Sequence, residues 1–111
     1  MLVKSLKFKN LHLVVDFIKN NYSENYHIDH YAEMCNLNKY YFIKLFKEFT
    51  GDSPQLYRTK IRIDKAKELL TTTRMTCTEI SEALGYQSPY YFSRIFKNHT
   101  GVCPSYYRKQ G

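Results

Sequence analysis

The chain has 111 residues, with 17 Lys or Arg against 10 Asp or Glu, so its formal charge is +7. That length suits one compact domain or two very small units; 43% hydrophobic and 16% aromatic residues exclude a disordered basic tail, and only four Gly and three Pro exclude a low-complexity linker. No apolar run approaches the roughly 20 residues that span a bilayer, and the opening Met1-Leu2-Val3-Lys4 has no signal-peptide character, so a soluble, cytoplasmic protein with no membrane role is expected.

In chain order, Leu11, Val14, Val15, Ile18 and Tyr22 recur at helical spacing and predict an N-terminal helix that covers the first of two repeated units. The repeat is plain when the chain is aligned with itself. Tyr40 to Arg58 reads YYFIKLFKEFTGDSPQLYR and Tyr90 to Arg108 reads YYFSRIFKNHTGVCPSYYR, identical at 10 of 19 positions with a constant offset of 50. Upstream the likeness continues at an offset of 49, Ile28 to Leu37 against Cys77 to Tyr86, which leaves Gln87 as one extra turn residue. Two copies are too few for a solenoid, which needs about three or more, so a duplicated supersecondary unit is expected.

Each unit reads as helix, tight turn, helix. In the first, His27 is a poor cap for the short helix, Asn36 tolerates the left-handed conformation at its end, and Asn38 caps the longer helix, which stops at Thr50-Gly51. Ser53-Pro54 then opens a long helix to about Leu70, carrying Tyr57, Ile61, Ile63, Ala66, Leu69 and Leu70 around much of its circumference, as expected of a helix that serves two subdomains. In the second unit Thr76 and Glu79 make a capping box, Gly85 supplies a positive φ, Ser88 with Pro89 starts the longer helix, and Thr100-Gly101 ends it. Pro104 begins a final piece of little more than a turn. With no period-2 segment anywhere, the expected class is all-α, with about seven helices in two homeodomain-like helix-turn-helix units. The boundaries expected are 1–52 for the N-terminal helix and first unit, 53–71 for the linker helix, and 72–111 for the second unit.

Projected at 100° per residue, Phe42, Leu45, Phe46 and Phe49 form one apolar stripe and Phe92, Ile95 and Phe96 repeat it. The opposite faces centre on Tyr40, Lys44 and Lys47 and on Tyr90, Arg94 and Lys97, flanked by Ile43 and Ser93. An ordinary solvated face mixes Glu and Lys freely; here only Glu48 intrudes, at an edge. Two basic, aromatic faces in register point to nucleic acid, and the small residues Ala32 and Ser81 with an apolar residue after each turn (Leu37, Tyr86) describe a helix-turn-helix whose second helix enters the major groove.

Two such units joined by a long helix, with Arg62-Ile63-x-x-Ala66-x-x-Leu69-Leu70, Ile80-Ser81-x-x-Leu84-Gly85-Tyr86, Tyr91-Phe92-Ser93-Arg94-x-Phe96-Lys97 and Thr100-Gly101-x-x-Pro104-x-x-Tyr107-Arg108, closely resemble the DNA-binding domain of the AraC/XylS family of bacterial transcription regulators. The resemblance covers nearly the whole chain. It implies sequence-specific binding of double-stranded DNA, with two recognition helices in successive major-groove segments. Base contacts would fall to Lys39, Tyr40, Ile43 and Lys44 in the first and to Tyr90, Ser93 and Arg94 in the second. Lys47 and Lys97, one turn further on, are expected on phosphates. Arg58, where the resemblance expects an aliphatic residue, is read as a phosphate contact too. Ile43 stands where a polar reader is common, so an apolar contact to a thymine methyl is expected there. The resemblance also implies RNA polymerase as a partner and a regulatory or dimerisation domain outside this chain, which is either the excised C-terminal part of a longer regulator or a stand-alone one.

The competing function is a single-stranded DNA or RNA module, in which Tyr40, Tyr41, Tyr90 and Tyr91 stack bases. Against it, Tyr41 and Tyr91 lie beside the core stripe, where partial burial is expected. His27-x-x-His30 with Cys35 lacks a suitably spaced fourth ligand, so no metal and no cofactor are expected. Cys35, Cys77 and Cys103 are odd in number with no Cys-x-x-Cys, which fits a reduced compartment; Cys35 and Cys77 fall on apolar core positions. No nucleophile pattern, paired carboxylates or phosphate loop suggests an enzyme.

Overall fold

A computed structural model describes residues 8–110. Among them are seven helices and no strand: α1 (Leu11–Asn20), α2 (Ile28–Met34), α3 (Lys39–Thr50), α4 (Pro54–Thr72), α5 (Cys77–Ala83), α6 (Pro89–Thr100) and α7 (Pro104–Gln110). None of the described helices is long and apolar enough to cross a membrane.

The chain divides into two compact units, Met1–Thr59 and Lys60–Gly111. The helix expected as a separate linker is therefore shared: α4 gives its first turns to one unit and the rest to the other. Its two ends do different jobs. In the first unit Pro54 is buried and Tyr57 meets the Phe46 ring edge-on at 5.6 Å; in the second, Pro104 is buried and Tyr107 meets Phe96 edge-on at 5.4 Å. The start of α4 thus plays in the first unit the part α7 plays in the second. Its later turns bury Ile63, Ala66 and Leu70 in the second unit, as Leu11, Val14 and Ile18 of α1 are buried in the first. Two apolar faces at two ends of one helix explain why its apolar residues wind around the circumference.

The caps follow the residue chemistry. Asn38 Oδ1 accepts from the Tyr41 amide at 2.9 Å, and Ser88 Oγ accepts from the Tyr91 amide at 3.1 Å, so both longer helices start with a satisfied donor. Thr76 and Glu79 form the full capping box, with amide-to-side-chain bonds of 3.0 and 2.8 Å. These bonds hold the Glu79 carboxyl below its ordinary range. His27 does cap α2, its Nδ1 accepting from the Asp29 amide at 3.2 Å.

Each short helix ends in the same hydrogen-bond pattern, with Leu37 N donating to Ala32 O at 3.1 Å and Tyr86 N donating to Ser81 O at 3.0 Å, across a left-handed Asn36 (φ 55°) or Gly85 (φ 92°). The long helices end at Gly51 and Gly101, both near φ 90°; a Cβ there would meet nothing within 4 Å, so conformation rather than space asks for glycine.

Several core expectations need correction. Phe49 is 40% exposed rather than core: it keeps to the apolar stripe but stands one residue from the end of α3, and its ring rests 5.2 Å from Phe8. Tyr22 lies beyond α1 and is only half-buried, and Cys77, the first residue of α5, is half-buried because it sits at the helix entrance. Ile95 is half-buried as well. Cys35 is buried, with its Sγ 3.6 Å from Asn10 O and its pKa raised by desolvation. The three cysteines are free thiols.

Candidate nucleic-acid interface

The two longer helices present matching outer faces. Tyr40 is 78% exposed and Tyr90 75%, the most exposed large apolar side chains among the described residues. Both sit at the second position of their helix, one residue before the capped amide. Lys44 and Lys47 follow on α3, and Arg94 and Lys97 on α6, all four outside the buried core and none in a side-chain ion pair among the described residues. Cations left without acids on a helix face are electrostatically available to an outside anion. Lys39 holds its Nζ 5.1 Å from the Tyr40 ring centroid, so charge and aromatic tip travel together at the start of α3.

Ile43 and Ser93 occupy equivalent places and are both half-buried. Ile43 borders a pocket of about 440 Å³ shared with Tyr26, Tyr31, Pro54 and Arg58. Tyr41 and Tyr91, at 44% and 49% exposure, are partly covered, Tyr91 by the Tyr86 ring at 5.9 Å. Of the expected site residues, the structure brings Lys39, Tyr40, Ile43, Lys44 and Lys47 together on α3, and Tyr90, Ser93, Arg94 and Lys97 together on α6.

Arg58 has an internal occupation that its place in the repeat did not reveal. Its Nη1 donates to Tyr26 O at 3.1 Å, to the Tyr31 hydroxyl at 3.2 Å and to Glu24 O at 3.5 Å, tying the α1–α2 connection to α4. A phosphate would have to compete with these acceptors. Its repeat partner Arg108 does the same in the second unit, donating to Leu70 O at 3.0 Å and Thr73 O at 3.4 Å. The recurrence of Arg at an offset of 50 was the available signal that this residue serves each unit's frame. The histidines expected to hold no metal have other neighbours: His30 stacks on Tyr26 at 4.6 Å and 15°, and His27 Nδ1 is taken by the cap.

A helix ended by a left-handed residue, a tight turn and a second helix with an open basic face define a helix-turn-helix, and the chain holds two. The sequence pattern of the helix-turn-helix domain family matches residues 31–110. The lactose operon transcription activator of Staphylococcus xylosus is 37% identical over 75 residues, 68% of this chain and 27% of that protein. The raffinose operon transcriptional regulatory protein RafR of Pediococcus pentosaceus is 35% identical over 85 residues, 77% of this chain and 31% of its own length. Among solved structures, the C-terminal domain of AraT, a response regulator from Geobacillus stearothermophilus, superposes with a TM-score of 0.85 at 34% identity, covering 90% of this chain and 84% of that one. The chain belongs to the AraC-type helix-turn-helix family of DNA-binding domains. It is accordingly a sequence-specific DNA-binding domain of transcription regulation and not an enzyme. It spans about a third of the length of the curated relatives it matches, between 27% and 38% for the first three.

Proposed function

We propose that α3 and α6 each enter the major groove of one duplex, in successive segments, and read it unequally. The observation that supports this most is the repetition of one exposed face, Tyr40-Lys44-Lys47 and Tyr90-Arg94-Lys97, on two helices with equivalently placed caps and the same glycine stops. Lys39, Tyr40, Ile43 and Lys44, with Tyr90, Ser93 and Arg94, contact bases. Arg94 has the fork geometry to take a guanine edge at two points, whereas Lys44 offers a single ammonium. Ile43 carries no hydrogen-bonding group and, half-buried on α3, meets a thymine methyl. Lys47 and Lys97 hold phosphates, fixing register without reading sequence. Arg58 supports the first unit's frame and contributes to the phosphate grip only secondarily.

In the whole protein, this domain works beside a regulatory or dimerisation domain and with RNA polymerase, in the cytoplasm. The greater length of the matched relatives and their naming as operon regulators support that reading. Random-site selection on duplex DNA tests the core of it. The recovered site carries two short unequal blocks about one helical turn, roughly 10 base pairs, apart, and needs no palindrome. A single recovered block, or equal retention on single-stranded DNA or RNA in competition at fixed salt, would refute it.

A further inference from the structure

Arg62 is the one charged side chain among the described residues that is almost wholly buried, at 4% exposure. It stands on α4 next to Ile63, within the turns that pack into the second unit. Its guanidinium lies over the Tyr86 ring, Cζ 5.0 Å from the centroid. Tyr86 is the residue that closes the turn after Gly85, through its amide bond to Ser81 O. The same ring touches Phe92 at 5.5 Å and Tyr91 at 5.9 Å, both in the first turn and a half of α6. Tyr90, Ser93 and Arg94 are set on those turns. A continuous line of contact thus runs from α4 through one aromatic ring to the start of the base-reading helix. The first unit lacks this arrangement, because Leu37 stands where Tyr86 does and offers no π face.

We propose that Arg62 is a positioning residue for sequence readout by α6: by stacking on Tyr86 it fixes how the first turns of α6 are presented to the groove, and so sets discrimination by the second unit alone. This rests on the reading of α6 as a base-contacting helix. A cation held against a ring away from water is attracted more strongly than one at the surface, and the planar guanidinium stacks where an ammonium cannot. A two-point contact such as Arg94 on guanine tolerates little displacement, so a small shift in Tyr86 is felt as lost discrimination before it is felt as lost affinity for DNA in general.

The test uses the intact chain and three duplexes: the selected site, that site with the block read by α6 scrambled, and that site with the block read by α3 scrambled. Arg62→Met and Tyr86→Leu are each expected to reduce discrimination at the α6 block about threefold to tenfold, leaving discrimination at the α3 block and the salt slope unchanged. The double variant should lose no more than the worse single one, Arg62→Lys should recover part, and Tyr86→Phe, which keeps the ring, should behave as the parent. If Arg62→Met does not fold, Tyr86→Leu carries the test, because leucine already fills that place in the first unit. Discrimination retained at the α6 block in Tyr86→Leu, or lost equally at both blocks, overturns the proposal. Arg94→Ala is the control: if it too leaves the α6 block fully discriminated, the reading of α6 itself is wrong, whereas its loss beside an unaffected Tyr86→Leu refutes only the role of Arg62.

Discussion

Replacing Lys47 and Lys97 by Gln separates a phosphate grip from a merely solvated basic face. Both lysines are exposed, neither is in an ion pair among the described residues, and each stands three residues beyond Lys44 or Arg94, about 4.5 Å further along its helix. There the helix is leaving the groove and the nearest anion is the backbone. Each phosphate-bound lysine releases condensed counterions, so each substitution should make the slope of log K against log salt shallower by about 0.9, and the pair by about 1.8. Between about 50 and 200 mM salt, the parent should therefore lose about 12-fold more affinity than the double variant, since fourfold raised to the power 1.8 is about 12. The assay is fluorescence anisotropy across that range on the selected site and on random duplex, where the two slopes should shift alike. An unchanged slope in the double variant would refute the phosphate assignment, because charge that touches no phosphate releases no bound ions.

Arg94→Ala should cost about 1–3 kcal/mol on the selected site and little on random DNA, with Lys44→Ala showing a smaller gap, both read from paired binding isotherms. Ser81 Oγ is buried without a hydrogen-bond partner, and Ala32 fills the equivalent place in the first unit, so Ser81→Ala should be neutral or stabilising by up to about 1 kcal/mol in denaturant melts. The Glu79 carboxyl is held low by its bonds to Thr76, so the stability it adds is present above the ordinary glutamate range and is lost as pH falls through its lowered value. The gap in Tm between the parent and Glu79→Ala should thus be full at neutral pH and close on acidification. Arg58→Met should lower the melting temperature and change the salt slope less than Lys47→Gln does, since its Nη1 is engaged by Tyr26, Tyr31 and Glu24 within the first unit.

Much of this protein is written in short stretches of sequence. The duplication, the capping box at Thr76 and Glu79, the caps at Asn38 and Ser88, and the stops at Gly51, Gly85 and Gly101 are all legible because each depends on residues within about four positions of one another. The outer faces of α3 and α6 are legible for the same reason, since helical periodicity alone separates Tyr40, Lys44 and Lys47 from Phe42, Leu45 and Phe46. Periodicity is silent about the ends of elements, which is why Phe49 reads as core and is instead 40% exposed. It is equally silent about long polar side chains. Arg58 finds its acceptors 27 to 34 residues away and Arg108 finds its own 35 to 38 away, so nothing near either residue announces the bonds. Tertiary packing likewise decides that Arg62 meets the Tyr86 ring, and that one helix, α4, closes the first unit with its beginning and cores the second with its remainder. Local hydrogen bonding and amphipathicity specify elements and faces; what a guanidinium or an aromatic ring meets is set by which distant atoms the folded chain brings within a few ångströms.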